Sequence, residues 1–174
     1  STKIGMTAYV NNCSNNGCTQ NPPQILYTES TLAGAQSTPV DIYSNALAFC
    51  NANKDADVPA LTGASVSMYG ASQALARPLV SVYCNTLSVS QQFVASIAAD
   101  GALTLKTKLN SVNSTQNYLT YSRATHNPNA TGTQVATMIY AVRSLRSANS
   151  PYTYSNFERV LIRITAAGAV TESS

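Results

Sequence analysis

The stretch that decides the fold is ATMIYAVRSLRSANSPYTYSNFERVLIR, which runs from Ala136 to Arg163. Apolar residues in its first half, together with the residue just before it, recur at the spacing typical of one face of a packed helix. These residues are Val135, Met138, Ile139, Val142 and Leu145. We therefore expect an amphipathic helix, capped by Thr131 or Thr133, that ends in a basic turn.

Arg146 lies near the middle of that apolar stripe. A buried guanidinium without a partner is costly, so this side chain must reach past the helix end or meet an acid. The segment after the helix has to fold back, and it carries Glu158. We predict a structural ion pair between Arg146 and Glu158. Beyond it, Val160, Ile162 and Ile164 fit a strand as well as a helix.

A second helix is predicted further towards the N-terminus, over about Pro39 to Asn51. Thr38 can cap it, Pro39 suits the first helical position, and Asp41 answers the exposed N–H groups of the first turn. Apolar spacing predicts another helix over Ser90 to Ala99. The first thirty-six residues, rich in Asn and Pro, indicate an extended N-terminal arm.

Length and composition bound the class of protein. The chain of 174 residues is long enough for one domain, and only 10% of its residues are charged. A surface of neutral polar groups has little like-charge repulsion, so it suits coverage by neighbouring copies. Secreted and cell-surface proteins have similar compositions. No stretch approaches the roughly 18–20 apolar residues of a membrane span, so we expect no membrane partner.

Positive charge is concentrated late in the chain. Seven of the ten Lys and Arg residues follow Ala102. If the segment after Leu103 is extended, Lys106 and Lys108 lie on one side of it and could contact phosphate, or they form a solvated edge. Arg123, beside Tyr121 in a predicted long loop over 110–133, combines a cation with a flat ring, which suits RNA contact.

Cysteine usage leaves two alternatives. Cys13, Cys18, Cys50 and Cys84 lack the paired spacing of a zinc site. They are either free buried thiols or two disulfides that join Cys13 to Cys18 and Cys50 to Cys84. Because Cys50 and Cys84 end strongly apolar runs, we favour thiols for this pair.

The sequence offers few candidate catalytic residues. His126 is the sole histidine and lies in a polar Asn-Pro loop, where we expect a solvated ring. No nucleophile-elbow, phosphate-loop or dinucleotide motif occurs. We therefore expect no enzyme activity, no catalytic residues, no metal and no cofactor.

The segment from Val135 to Glu158 resembles the C-terminal part of coat proteins from rod-shaped plant RNA viruses of the tobamovirus kind. The shared features are a helix that ends on Arg146, a short turn, Tyr152 and then Phe157-Glu158. The resemblance implies a mainly α fold, an antiparallel four-helix bundle with a small β-sheet. It also implies that Arg123 takes the RNA-binding role of the inner-loop arginine. Arg143 is a further cation of the predicted helix and joins the RNA-binding candidates.

The expected function is that of a structural coat subunit, one domain over 1–174, which assembles with copies of itself around single-stranded RNA in a virion. Missing Trp and the β-branched run at Val160 to Thr165 keep an α+β or all-β virus coat fold open as the alternative. The rival function is a secreted, disulfide-bonded pilus or adhesin-like subunit, located outside the cell or on its surface.

Overall fold

The computed structural model describes residues 3–10, 13–14, 17–18, 24–31, 33–70, 74–86, 89–109, 117–146 and 153–173. Within these ranges the chain forms three antiparallel β-sheets, a two-stranded ribbon and one helix. The N-terminal part comprises β1 (Lys3–Val10), β2 (Cys13–Ser14), β3 (Gly17–Cys18), β4 (Gln24–Thr31), β5 (Val40–Asp41) and α1 (Tyr43–Asn53). In the N-terminal sheet, β4 lies between β1 and β5, while β2 and β3 form the ribbon.

Two four-stranded meanders make up the rest of the described chain. The central sheet comprises β6 (Gly63–Gly70), β7 (Leu79–Asn85), β8 (Ser90–Ile97) and β9 (Leu103–Lys108). The C-terminal sheet comprises β10 (Asn117–His126), β11 (Val135–Arg146), β12 (Tyr154–Thr165) and β13 (Val170–Ser173). Strands adjacent in sequence are neighbours in both sheets, so each sheet is built from hairpins.

The central sheet is covered on both faces. On one face, Val82 and Phe93 pack in a core with Phe49 of α1 and with Ile25 and Tyr27 of β4. On the other face, a second core joins the central sheet to the C-terminal sheet. It contains Leu79, Val94, Leu109, Ile139, Ala141, Val160, Ile162 and Ile164. The architecture is thus a β-sandwich with α1 and the N-terminal sheet packed outside its central layer.

The predicted four-helix bundle is wrong. The described chain is mostly strand, and the α+β or all-β alternative fits better. The helix predicted near Pro39 is present as α1, but its predicted start is wrong: Thr38 and Pro39 precede strand β5, and the helix begins at Tyr43, whose N–H donates to the Asp41 carboxylate at 3.0 Å. The segments predicted as helices at Ser90 and at Val135 are strands β8 and β11.

Burial explains both errors. In β8, seven of eight residues are buried, so the strand shows no alternation of apolar and polar residues. In β11, Ile139 and Ala141 point into the second core, while Met138 and Tyr140 on the opposite face are exposed. Apolar side chains on both faces produce helical spacings by coincidence. The loop predicted over 110–133 is likewise wrong for residues 117–126, which form β10.

A disulfide joins Cys50 of α1 to Cys84 of β7, with the two Cα atoms 5.8 Å apart. Our preference for free thiols at this pair is therefore wrong. Both cysteines are fully buried, and nearby Phe49 and Phe93 meet edge to face with ring centroids 5.6 Å apart. Cys13 and Cys18 are opposite each other in the β2–β3 ladder, and their side chains lie outside the described residues. The Cys50–Cys84 bond fastens the helix to the central sheet.

We expect the Cys50→Ala/Cys84→Ala variant to lose about 2–4 kcal/mol of unfolding free energy, because the bond closes a loop between residues 34 apart in sequence. Denaturant unfolding of wild type and variant, each with and without reductant, measures the loss. Reductant should lower the stability of the wild type by much more than that of the variant. Equal stability of the two proteins without reductant would contradict the assignment.

Candidate nucleic-acid interface

The outer face of the C-terminal sheet carries three arginines on neighbouring strands. Residues opposite each other in an antiparallel ladder point to the same face. Arg123 of β10 is opposite Tyr140 of β11, and Tyr140 is opposite Leu161 of β12. The adjacent outward positions of β12 hold Arg159, opposite Val142, and Arg163, opposite Met138. We call Arg123, Met138, Tyr140, Arg159, Leu161 and Arg163 the arginine face.

Packing on the inner side fixes this arrangement. Val160, Ile162 and Ile164 alternate along β12 and are buried against the central sheet. Because side chains of a strand alternate between faces, Arg159, Leu161 and Arg163 must point outwards. The same alternation in β11 buries Ile139 and Ala141 and leaves Tyr140 48% exposed.

The electrostatics of the arginine face are one-sided. The described part of β10–β13 contains two acidic residues, and both alternate with the outward positions: Glu158 is opposite Arg143, and Glu172 is opposite the buried Ile162. No carboxylate of these strands thus occupies an outward position. Arg163 is held by a hydrogen bond from its guanidinium to the Ser173 hydroxyl, 3.1 Å long. With a rise of about 3.3 Å per residue, Arg159 and Arg163 are roughly 13 Å apart along the strand.

The predicted pair of lysines does not form a common strip. A β-bulge interrupts β9, where Leu105 is opposite Ala95 and Thr107 is opposite Val94. Lys106, between them, has no residue opposite it in β8. Lys108 is on the α1 side of the sheet, where its ammonium group meets the carboxylate of Asp55, just beyond the end of α1, at 2.6 Å. Lys106 instead lines a groove on the other face of the sheet with Leu79. The bulge separates the two cations, so the prediction that they share one side is wrong.

The remaining predicted site residues lie on paired strands of the C-terminal sheet. Arg123 lies on the arginine face, as just described. Arg143 is opposite Glu158, and Arg146 is opposite Tyr154. The side chains of Arg143 and Arg146 lie outside the described residues, so the predicted ion pair between Arg146 and Glu158 stays a prediction. In the backbone register, Arg143 is not opposite any residue of the arginine face.

Sequence reasoning missed Arg159 and Arg163. The signal that could have found them is the alternation of Val160, Ile162 and Ile164, which indicates a strand with one buried face. Arg159, Leu161 and Arg163 alternate with these residues and then occupy the exposed face, and two of the three are arginines. Because strand and helix both stayed open for this run, its outward residues were not assigned.

Beside the arginine face, the two sheets diverge around a cavity of about 320 Å³. The central sheet lines it with hydroxyl, phenol and amide groups, and β10 contributes Ser122, Arg123 and Ala124. The lining residues of the central sheet are Ser67, Met68, Tyr69, Ser81, Tyr83 and Gln92. We call this space the inter-sheet cavity.

Hydrogen bonds order the polar groups of the cavity wall. The Tyr69 and Ser122 hydroxyls are 2.6 Å apart, and the Gln92 amide donates to the Ser81 hydroxyl at 2.5 Å. Burial raises the pKa of the Tyr69 phenol, while hydrogen bonds with Ser122 and Ser81 partly counter that shift. Tyr69 therefore stays neutral at physiological pH and keeps its proton for hydrogen bonding.

His126 does not have the solvated ring that we expected. It is the last residue of β10 and is half-buried. Its Nε2 lies 2.8 Å from the Tyr69 carbonyl oxygen, and its Nδ1 lies 3.0 Å from the Thr137 hydroxyl. Both ring nitrogens thus have partners, and the side chain bridges the central and C-terminal sheets.

No family model, curated protein or solved structure matches this chain. In the part of the chain that the structure describes, no group of three or more His, Cys, Asp or Glu side chains is placed to hold a metal ion. The one helix of the described chain, α1, is not long and apolar enough to cross a membrane.

Proposed function

We propose that this chain is a structural coat subunit that assembles with copies of itself around single-stranded RNA, and that the arginine face binds the RNA. The observation that carries the proposal is this face, with three arginines, an exposed tyrosine and no carboxylate at an outward position of the described strands. Its proposed location is the virion.

The composition of the arginine face supports a single-stranded polyanion as the ligand. Arginine guanidinium groups pair with phosphate through forked hydrogen bonds. An exposed tyrosine among cations offers a flat surface on which a base can stack, and stacking of this kind tolerates any base. A β-sheet carries these groups at fixed spacing, and a duplex would hide its bases from Tyr140.

Support for self-assembly comes from the first half of β12. All six residues from Tyr154 to Arg159 are exposed, and the Phe157 side chain is 71% exposed. In the described part of the chain, β13 pairs only with Leu161–Ile164, so it leaves this half uncovered. An exposed phenylalanine three residues from a second exposed aromatic residue, Tyr154, is typical of a protein interface.

Contact between copies through these side chains is more consistent with the geometry than strand addition. Asn156 has a φ of 52° and sits at a bulge, where Asn156 and Phe157 together face Ser144. A bulge increases the local twist and makes a strand edge a poor template for further pairing. We therefore place Phe157 in a side-chain contact with a second copy.

The Cys50–Cys84 disulfide favours a second candidate function, a secreted pilus or adhesin-like surface subunit outside the cell. Disulfides persist mainly in oxidising compartments and on virion or cell surfaces. Electron microscopy of purified material, combined with analysis of copurified nucleic acid, separates the two candidates. Particles that contain RNA support the coat subunit, and thin fibres without nucleic acid support the surface subunit.

The Arg159→Ala/Arg163→Ala variant should bind single-stranded RNA more weakly and with less salt dependence. Each lost phosphate contact lowers the slope of log affinity against log salt by about 0.7, so the pair lowers it by about 1.4. Fluorescence anisotropy of a labelled oligonucleotide over a salt series measures the slope. The control, Lys54→Ala/Lys106→Ala, removes two charges outside the arginine face and should keep the wild-type slope. Equal slopes for both double variants would rule out the arginine face as the RNA site.

Replacement of Phe157 by Ser should prevent assembly without weakening the fold. The side chain is largely exposed in the single subunit, so the expected change in unfolding free energy is within about 0.5 kcal/mol. Sedimentation velocity and electron microscopy measure assembly. Leu105→Ser, at a 36% exposed position of the central sheet, is the matched control and should assemble normally. Normal particles from Phe157→Ser would remove this residue from the subunit contact.

A further inference from the structure

We propose that the inter-sheet cavity receives one unstacked nucleobase of the RNA strand that lies on the arginine face. The inference rests on the proposed function and adds a second, base-binding element to it. Arg123 connects the two, because it belongs to β10, the edge strand of the C-terminal sheet: by register it lies on the outer arginine face, and its inward neighbours Ser122 and Ala124 line the cavity with it. An RNA strand held at Arg123 would therefore run along this sheet edge, from which one nucleoside can turn towards the cavity.

The size of the cavity suits a ligand of this kind. Its volume of about 320 Å³ lies at the lower end of the range for small-molecule pockets, roughly 300–1,000 Å³. A single base with part of its sugar is a small ligand, and a peptide segment or a folded partner is too large. The cavity is also open to solvent at Ser67, which is exposed.

The chemistry of the walls suits the edge of a base. The Gln92 amide carries both donors and an acceptor, and its side chain is 9% exposed. Serine hydroxyls at 67, 81 and 122 can donate or accept, as the ligand requires. The heterocyclic edge of a nucleobase presents the same mixture of donors and acceptors.

Two tyrosines, Tyr69 and Tyr83, also line the cavity. Tyr83 is opposite Gln92 in the β7–β8 ladder, so its ring lies beside the amide on the same face of the central sheet. Tyr69 stands across the cavity with its hydroxyl against Ser122. Unstacked RNA bases are commonly bound by an aromatic ring and by hydrogen bonds to their edges.

The position of the cavity has a cause in the packing of the sheets. The inner face of the central sheet is apolar at Leu79 and Val94, where the C-terminal sheet covers it. Further along β7 and β8 the inward residues are Ser81, Tyr83 and Gln92. These polar groups do not close against the opposite sheet, so a space remains between the layers there.

The experiment compares two single-stranded RNA oligonucleotides of equal length and charge, one intact and one with abasic positions at its centre. Binding to the full chain is measured by fluorescence anisotropy. A base that stacks and pairs in a pocket should make the wild type prefer the intact strand by about tenfold or more. Ser67→Phe, which places a ring at the exposed mouth, should reduce the preference severalfold and leave the salt slope unchanged.

Two further variants test base binding in the cavity independently of Ser67→Phe. Ser67→Thr is the matched control, adds one methyl group and should retain the wild-type preference. Tyr83→Leu keeps bulk but removes the ring and the hydroxyl, so it should reduce the preference as Ser67→Phe does. Unchanged preference in both Ser67→Phe and Tyr83→Leu would overturn the cavity proposal while RNA binding by the arginine face stands. Absence of salt-dependent RNA binding by the wild type would instead overturn the proposed function, and the cavity proposal with it.

Discussion

Burial of Val160, Ile162 and Ile164 against the central sheet is the constraint on which the rest of the C-terminal half depends. Each fully buried aliphatic side chain contributes roughly 1.5–3 kcal/mol, and a slip of one residue would expose all three. That slip would also bury Arg159 and Arg163 without partners, at a further cost. The core therefore fixes the register of β12, and this register aligns the arginines on the outer face.

The other parts of the molecule hold the central sheet in place for this packing. The sheet is covered on its second face by α1, which the Cys50–Cys84 bond fastens to β7. Near the far end of β7, Arg77 pairs with the buried Glu29 of β4, and its guanidinium also donates to the Ile97 carbonyl at 2.8 Å. These contacts tie the N-terminal sheet to the central layer. The proposed interfaces all lie on the opposite side, along the C-terminal sheet and its margin.

Sequence alone could predict the parts of the fold that have local signals. The Asp41 carboxylate, which accepts the Tyr43 N–H, is an example: the helix is present as α1, four residues beyond its predicted start at Pro39. Strands β8 and β11 could not be predicted in this way, because apolar residues on both faces erase the alternation that marks a strand. The bulge in β9 that separates Lys106 from Lys108 also has no local signature. For the candidate site, Arg123 could be predicted from its aromatic neighbours, while Arg159 and Arg163 required the strand register of β12.

Ultraviolet crosslinking of the chain to single-stranded RNA, followed by tryptic digestion and mass spectrometry, tests the central claim most directly. The segment from Ala124 to Arg143 contains Tyr140 as its single tyrosine, so a nucleotide adduct on it reports contact at the arginine face. The account predicts that adducts concentrate on this peptide and disappear from it in high salt. Adducts confined to the segment from Ile4 to Lys54, which holds the N-terminal sheet and α1, would contradict it.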